Sequence, residues 1–112
     1  MGIKDFAVDV TEQPGRAIVS VSGDLDYETC SSLTRVLSPL VLPGRTLVLD
    51  LARVTFMGTC ALHVLLALRA RAIEEEWTLE LAGTPDQGRN VLELTATRRL
   101  FILRPAVAPA PL

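Results

Sequence analysis

The chain has 112 residues, 11 of them basic and 13 acidic, for a net charge of −2, and 49% of its residues are hydrophobic. That is one globular domain with enough apolar side chains for a real core, not a disordered segment. The charges are interspersed without a basic block and only 4% of residues are aromatic, which argues against direct binding of nucleic acid or of an anionic membrane.

Phe6, Val8 and Val10 alternate with other residues and predict a half-buried strand. Gln13-Pro14-Gly15-Arg16 is a hairpin turn signal, and residues 17–22 form a second, β-branched strand ended by Gly23. Asp24-Leu25-Asp26 opens a helix whose apolar positions Leu33, Val36, Leu37 and Leu40 recur at three and four. Pro39 weakens its last turn and Pro43-Gly44 closes it.

Residues 46–51 read as a continuous apolar strand of a sheet interior, with Asp50 inside it. A short loop then leads into a second helix over 59–75. Its inward stripe is expected at Leu62, Leu65, Leu66 and Ile73, with Arg69 on the same stripe reaching for water. His63, Ala67, Ala70 and Glu74 fall on the opposite face, where small side chains allow a partner to approach. A fourth strand covers 77–82, and a turn at Gly83-Thr84-Pro85-Asp86 starts a short helix over 87–94 with Val91, Leu92 and Leu94 inward. A last strand covers 100–103, and the Pro- and Ala-rich residues 105–112 read as a flexible tail behind a domain of residues 1–104.

The order β-β-α-β-α-β-α-β predicts an α/β fold: a mainly parallel sheet of four to five strands, one N-terminal antiparallel hairpin strand, and helices packed on it. No apolar run reaches the ~18 residues of a spanning helix, and no signal-peptide core follows the first residues. Two cysteines, Cys30 and Cys60, do not make a disulfide scaffold and are expected as free thiols of a cytoplasmic protein.

The stretch from Leu47 to Leu62 is where function is expected. A strand there feeds an apolar helix, and a helix start exposes unsatisfied N–H groups and a partial positive charge. Thr59 reads either as a helix cap or as a phosphate acceptor whose added charge the N–H groups near Ala61 and Leu62 would stabilise. Cys60 reads as a small packed hydrophobe, and catalysis by it is disfavoured because His63 is the single histidine and no orienting group accompanies it. Asp24 and Asp26 suit turn and cap chemistry. No metal or cofactor is expected, since one histidine and two separated cysteines supply no ligand set and no phosphate-binding glycine motif occurs. Arg98-Arg99 reads as a surface pair.

Taken together, Gly23-Asp24-Leu25-Asp26 after a hairpin, Leu47-Val48-Leu49-Asp50-Leu51 followed by Val54-Thr55-Phe56-Met57 and Leu62, and Val91-Leu92-Glu93-Leu94-Thr95 with Leu100-Phe101 resemble the STAS domain family. The resemblance spans roughly residues 5–104, and within the family the bacterial anti-sigma factor antagonists are the most similar group. It implies a non-catalytic regulator that binds an anti-sigma factor of the serine-kinase type and so releases a sigma factor. In that group phosphorylation of a loop hydroxyl ends the interaction and a phosphatase resets it. The group's loop reads Asp-Ser-Ser/Thr-Gly-Leu, whereas this chain reads Gly58-Thr59-Cys60-Ala61-Leu62. If the modified hydroxyl is the first, Thr59 can serve; if the second, Cys60 cannot, and phosphorylation control is then weakened or lost. The resemblance places Asp24, Gly58, Thr59, Cys60 and His63 on the partner-binding surface. A STAS subunit of a lipid-transport ATP-binding cassette complex is the alternative that it allows.

Overall fold

The computed structural model describes residues 6–107. A hairpin of β1 (Phe6–Gln13) and β2 (Arg16–Leu25) leads to α1 (Tyr27–Leu37) and a 3-10 turn at Ser38–Leu40. Then come β3 (Thr46–Met57), α2 (Thr59–Glu75), β4 (Thr78–Ala82) and α3 (Asp86–Leu94). A second 3-10 turn at Arg98–Leu100 precedes β5 (Ile102–Arg104). The five strands lie in the order β1-β2-β3-β4-β5; β1 is antiparallel to β2 and all other pairs are parallel. The predicted α/β architecture is the observed one.

Because each parallel strand is laid beside its predecessor in one direction, right-handed crossovers bring every helix to the same face of the sheet. Strand parity shows it. Ala17, Val19 and Val21 of β2, Leu47, Leu49 and Leu51 of β3, and Leu79 and Leu81 of β4 all enter one core with Leu33 and Leu37 of α1, Leu65 and Leu68 of α2, and Leu92 of α3. The alternate positions Ile18, Val48 and Ala82 form a small second cluster on the other face, against which Val107 packs. Residues 105–107 have no regular structure, and the rest of the expected tail, 108–112, lies outside the described residues.

β3 is longer than its sequence suggested. The expected loop after Leu51 is strand as far as Met57. Between Ser20 and Ser22 the partner register advances from Asp50 to Arg53, and between Gly23 and Asp24 it advances from Val54 to Phe56. Each step inserts one extra residue into β3, a β-bulge that resets the alternation of faces. Leu51, Val54 and Met57, three apart, are therefore all buried. β2 likewise continues past Gly23 to Leu25. The strand expected to begin at Leu100 begins at Ile102, behind the second 3-10 turn.

The second helix sits one position round from its expected phase. Ala61, Leu62, Leu65, Leu68 and Ala72 are its buried residues, whereas Ile73 is 65% exposed. Arg69 on this helix is half-buried and donates from Nε to the Leu100 carbonyl at 2.8 Å. In α3 the buried positions are Gly88 and Leu92, and Leu94, expected inward, is exposed.

Candidate functional site

The C-terminal ends of β2 and β3 lie side by side, Asp24 against Phe56 and Leu25 against Met57. From this edge the chain enters α1 and α2 respectively, so both helix N-termini rise from one rim of the sheet. Crevices at the carboxyl ends of parallel strands are the usual ligand-facing rim of open α/β folds.

The two helix starts are built differently. At α1, Asp26 is the N-cap: its Oδ1 accepts the Thr29 N–H at 3.1 Å, and the Asp26 N–H donates back to Thr29 Oγ1 at 2.8 Å. Thr29 Oγ1 also donates to the Asp24 carbonyl at 2.6 Å, so this reciprocal cap fixes the backbone that carries Asp24. Asp24 Oδ1 in turn accepts from Thr55 Oγ1 at 2.6 Å. That bond ties the end of β2 to the bulged end of β3.

At α2 the N-cap is Gly58, in extended geometry, and no side chain caps the helix. Thr59, read from sequence as a possible cap, is already the first helical residue and is exposed. The reason is local: the Gly58 N–H donates to the Leu25 carbonyl at 3.2 Å, which holds Gly58 against the neighbouring strand as the cap and starts the helix at Thr59. A methyl group at Gly58 would sit 3.2 Å from the Phe56 ring, so a small residue suits this junction. The Ala61 N–H is engaged by the Gly58 carbonyl at 3.0 Å. The amides that face outward at the start are therefore those of Thr59 and Cys60, not those near Ala61 and Leu62. The first turn of α2 also has no acidic side chain to offset the helix dipole.

Four of the expected site residues thus share this rim. Asp24 is exposed at the end of β2, Gly58 and Thr59 form the α2 junction, and Cys60 is half-buried just inside it, its Sγ 3.8 Å from the Leu25 carbonyl. His63 is exposed four residues after Thr59, one turn along the same helix face. Sequence reasoning did not single out Thr55, the partner of Asp24, nor two exposed rings: Phe56, next to it in β3, is 44% exposed, and Tyr27, the first residue of α1, is 81% exposed. Exposed aromatics flanking a polar rim are a pattern of contact surfaces; the signal was present in the sequence, but only the bulges of β3 reveal that Phe56 points outward.

Behind the rim, Cys30 of α1 is buried and its Sγ lies 3.4 Å from Cys60 Sγ; both are free thiols. Burial pushes the Cys30 thiol up to about 12, helped by its hydrogen bond to Cys60 and by the negative charges that Cys60 and Asp26 can carry. Below Met57, Gln87 of α3 accepts the Met57 N–H at 3.2 Å and anchors the end of β3 from the far side. The Arg98 region is separate. A cleft there is lined by Thr84, Arg89, Arg98 and Arg104, but Arg89 pairs with Asp86, Arg98 with Glu93 and Arg104 with Glu80. Among the described residues no group of three or more His, Cys, Asp or Glu is placed to hold a metal ion.

The family model described as "Mlab, STAS domain" matches residues 8–104. The chain belongs to the STAS domain family. Solved structures agree with this at the level of the whole domain. An anti-sigma factor antagonist from Mycobacterium paratuberculosis is 27% identical, with a TM-score of 0.80 over 92% of this chain and 88% of that one. The unphosphorylated form of the anti-sigma factor antagonist SpoIIAA has a TM-score of 0.70 at 16% identity, over 90% of this chain and 89% of that one. A sulfate transporter family protein from Wolinella succinogenes reaches 0.71 at 16% identity, covering 84% and 80%. The last two show the shared STAS fold. No helix of the described residues is long and apolar enough to cross a membrane.

Proposed function

We propose that this STAS domain acts as an anti-sigma factor antagonist, binding a serine-kinase type anti-sigma factor stoichiometrically in the cytoplasm and doing no catalysis itself. The observation that carries the proposal is the exposed, uncapped start of α2 at Gly58-Thr59, set beside Asp24 and Phe56 on one rim, in a fold that matches an antagonist at 27% identity over 92% of its length. The rim supplies what a docking surface needs: outward amides and a positive helix end for a partner carboxylate, an apolar ring to bury, and a rigid frame.

In this proposal Thr59 is the phosphate acceptor. Its hydroxyl stands on the first turn, on the exposed side, where a kinase active site can close over it. Phosphate there brings about −1.5 to −2 charge. The Thr59 and Cys60 amides would stabilise that charge in the free protein, while a partner carboxylate docked on the same amides would be repelled. Phosphorylation then releases the partner, and a phosphatase restores binding. Gly58 and Cys60 in place of the group's acidic and second hydroxyl residues leave Thr59 as the single acceptor at this junction.

Incubation with such a kinase and ATP, followed by intact mass, tests the assignment: one phosphate on the wild type and none on Thr59→Ala is expected. A phosphate that persists on Thr59→Ala overturns it. A second reading is a permanent STAS subunit of a transport complex docked through the same α2 face; a sulfate transporter family protein shares the fold. Co-purification with a transport ATPase instead of a kinase-like ATPase distinguishes it.

A further inference from the structure

We propose that Cys30 and Cys60 are an oxidation site, in which a peroxide converts the pair to an intramolecular disulfide that ties α1 to the first turn of α2. The two sulfurs stand 3.4 Å apart across the packed α1–α2 pair. A disulfide requires about 2.05 Å, so the sulfurs must close by little more than an ångström.

The two thiols have different access. Cys60 is half-buried at the second position of α2, next to exposed Thr59, and meets a small oxidant from solvent. Cys30 is 4% exposed, buried in the α1 stripe with Leu33 and Leu37, so it reaches no thiol of another molecule. The chain has two cysteines, so the one other thiol that Cys30 can meet within the molecule is Cys60.

The chemistry balances in two steps. The Cys60 thiolate attacks one oxygen of hydrogen peroxide; the S–O bond forms, the O–O bond breaks, and hydroxide leaves and is protonated to water. Sulfur is oxidised to sulfenic acid and peroxide is reduced. Cys30 sulfur then attacks Cys60 sulfur; the S–S bond forms, the S–O bond breaks, and the leaving hydroxide takes the Cys30 proton as a second water. One of the causes that hold the Cys30 proton, the charge of the Cys60 thiolate, is gone once Cys60 is the neutral sulfenic acid. Burial and Asp26 remain, so the second step is the slower one.

The bond itself is independent of the partner-binding reading. Any effect of it on partner affinity would rest on that reading, because Cys60 adjoins Thr59. The test therefore uses the isolated full chain: reduced protein is treated with hydrogen peroxide, alkylated in denaturant and weighed intact. The expected product is a monomer lighter by about 2 Da, with no alkylated thiol, a Cys30–Cys60 linked peptide, and full reversal by dithiothreitol. Closure in the native protein is expected at least about tenfold faster than in concentrated guanidinium, because the fold holds the sulfurs together. Cys30→Ser is expected to stop at a trappable Cys60 sulfenic acid, and Cys60→Ser to leave Cys30 unmodified. Two thiols still open to alkylation, a Cys60 sulfinic acid in the wild type, a disulfide-linked dimer, or equal rates in native and denatured protein would each overturn the proposal. The wild-type mass and rate comparison decides it even where a variant fails to fold.

Discussion

Two threonines one residue inside or three residues past a helix boundary behave in opposite ways here. Thr29 is buried in the reciprocal cap with Asp26 and carries structure; Thr59 is exposed beyond a glycine cap and carries none of the capping. Asp26→Ala should therefore lower stability by about 1 kcal/mol, the usual worth of a cap, whereas Thr59→Ala should change it by less than about 0.5 kcal/mol. Denaturant midpoints of the two variants check this. Cys30 gives a second residue-scale expectation. Its thiol is held near 12 against an ordinary value of 9.0, so between those values the unfolded chain is the more deprotonated state and stability falls as pH rises. The full contribution is present below pH 9 and is lost through pH 12. Cys30→Ala should show a shallower decline than the wild type over that window in parallel melts. At this scale the sequence was enough to bring Asp24 and Thr59 to neighbouring strand ends, because they follow consecutive parallel strands, but not to single out Thr55, Phe56 or Tyr27. It did not show which residue caps α2, since that depends on the Gly58 bond to Leu25 across the sheet.

At the scale of elements, regular periodicity was readable and its interruptions were not. The alternation in β1, the β-branched run of β2 and the apolar run of β3 up to Leu51 predict their strands correctly. The continuation to Met57 depends on two bulges, which turn a three-residue spacing of Leu51, Val54 and Met57 into one buried face; a spacing of three in sequence looks like a loop or a helix. For α2 the difficulty is different. Leucine and alanine occupy nearly the whole circumference of the helix, so the pattern does not fix its rotation. Packing against the sheet chooses the Ala61, Leu65, Leu68, Ala72 stripe. Adjacent leucines then separate the two phases: Leu65→Ala, at a 2% exposed position, should cost about 2–5 kcal/mol, and Leu66→Ala, half-buried, clearly less. Equal losses would place the helix in the phase expected from sequence.

For the whole molecule, the fold follows from a single rule applied repeatedly: each crossover has the same hand and each new strand joins the same edge. All three helices then share one face, and the carboxyl ends of β2 and β3 bring Asp24, Phe56 and Thr59 to one rim. On the other face, among the described residues, Val107 packs against Ile18, Val48 and Ala82, and the rim is where charge, helix ends and exposed aromatics meet. The proposed function needs this rim to bind. The most direct measurement is a calorimetric titration of the protein with an anti-sigma factor of the serine-kinase type, alongside Thr59→Glu as a stand-in for the phosphorylated state. Saturable one-to-one binding at micromolar or tighter affinity, weakened at least about tenfold (about 1.4 kcal/mol) by Thr59→Glu, is the result the rim predicts. No binding at micromolar protein, or equal affinity for the wild type and Thr59→Glu, would contradict it.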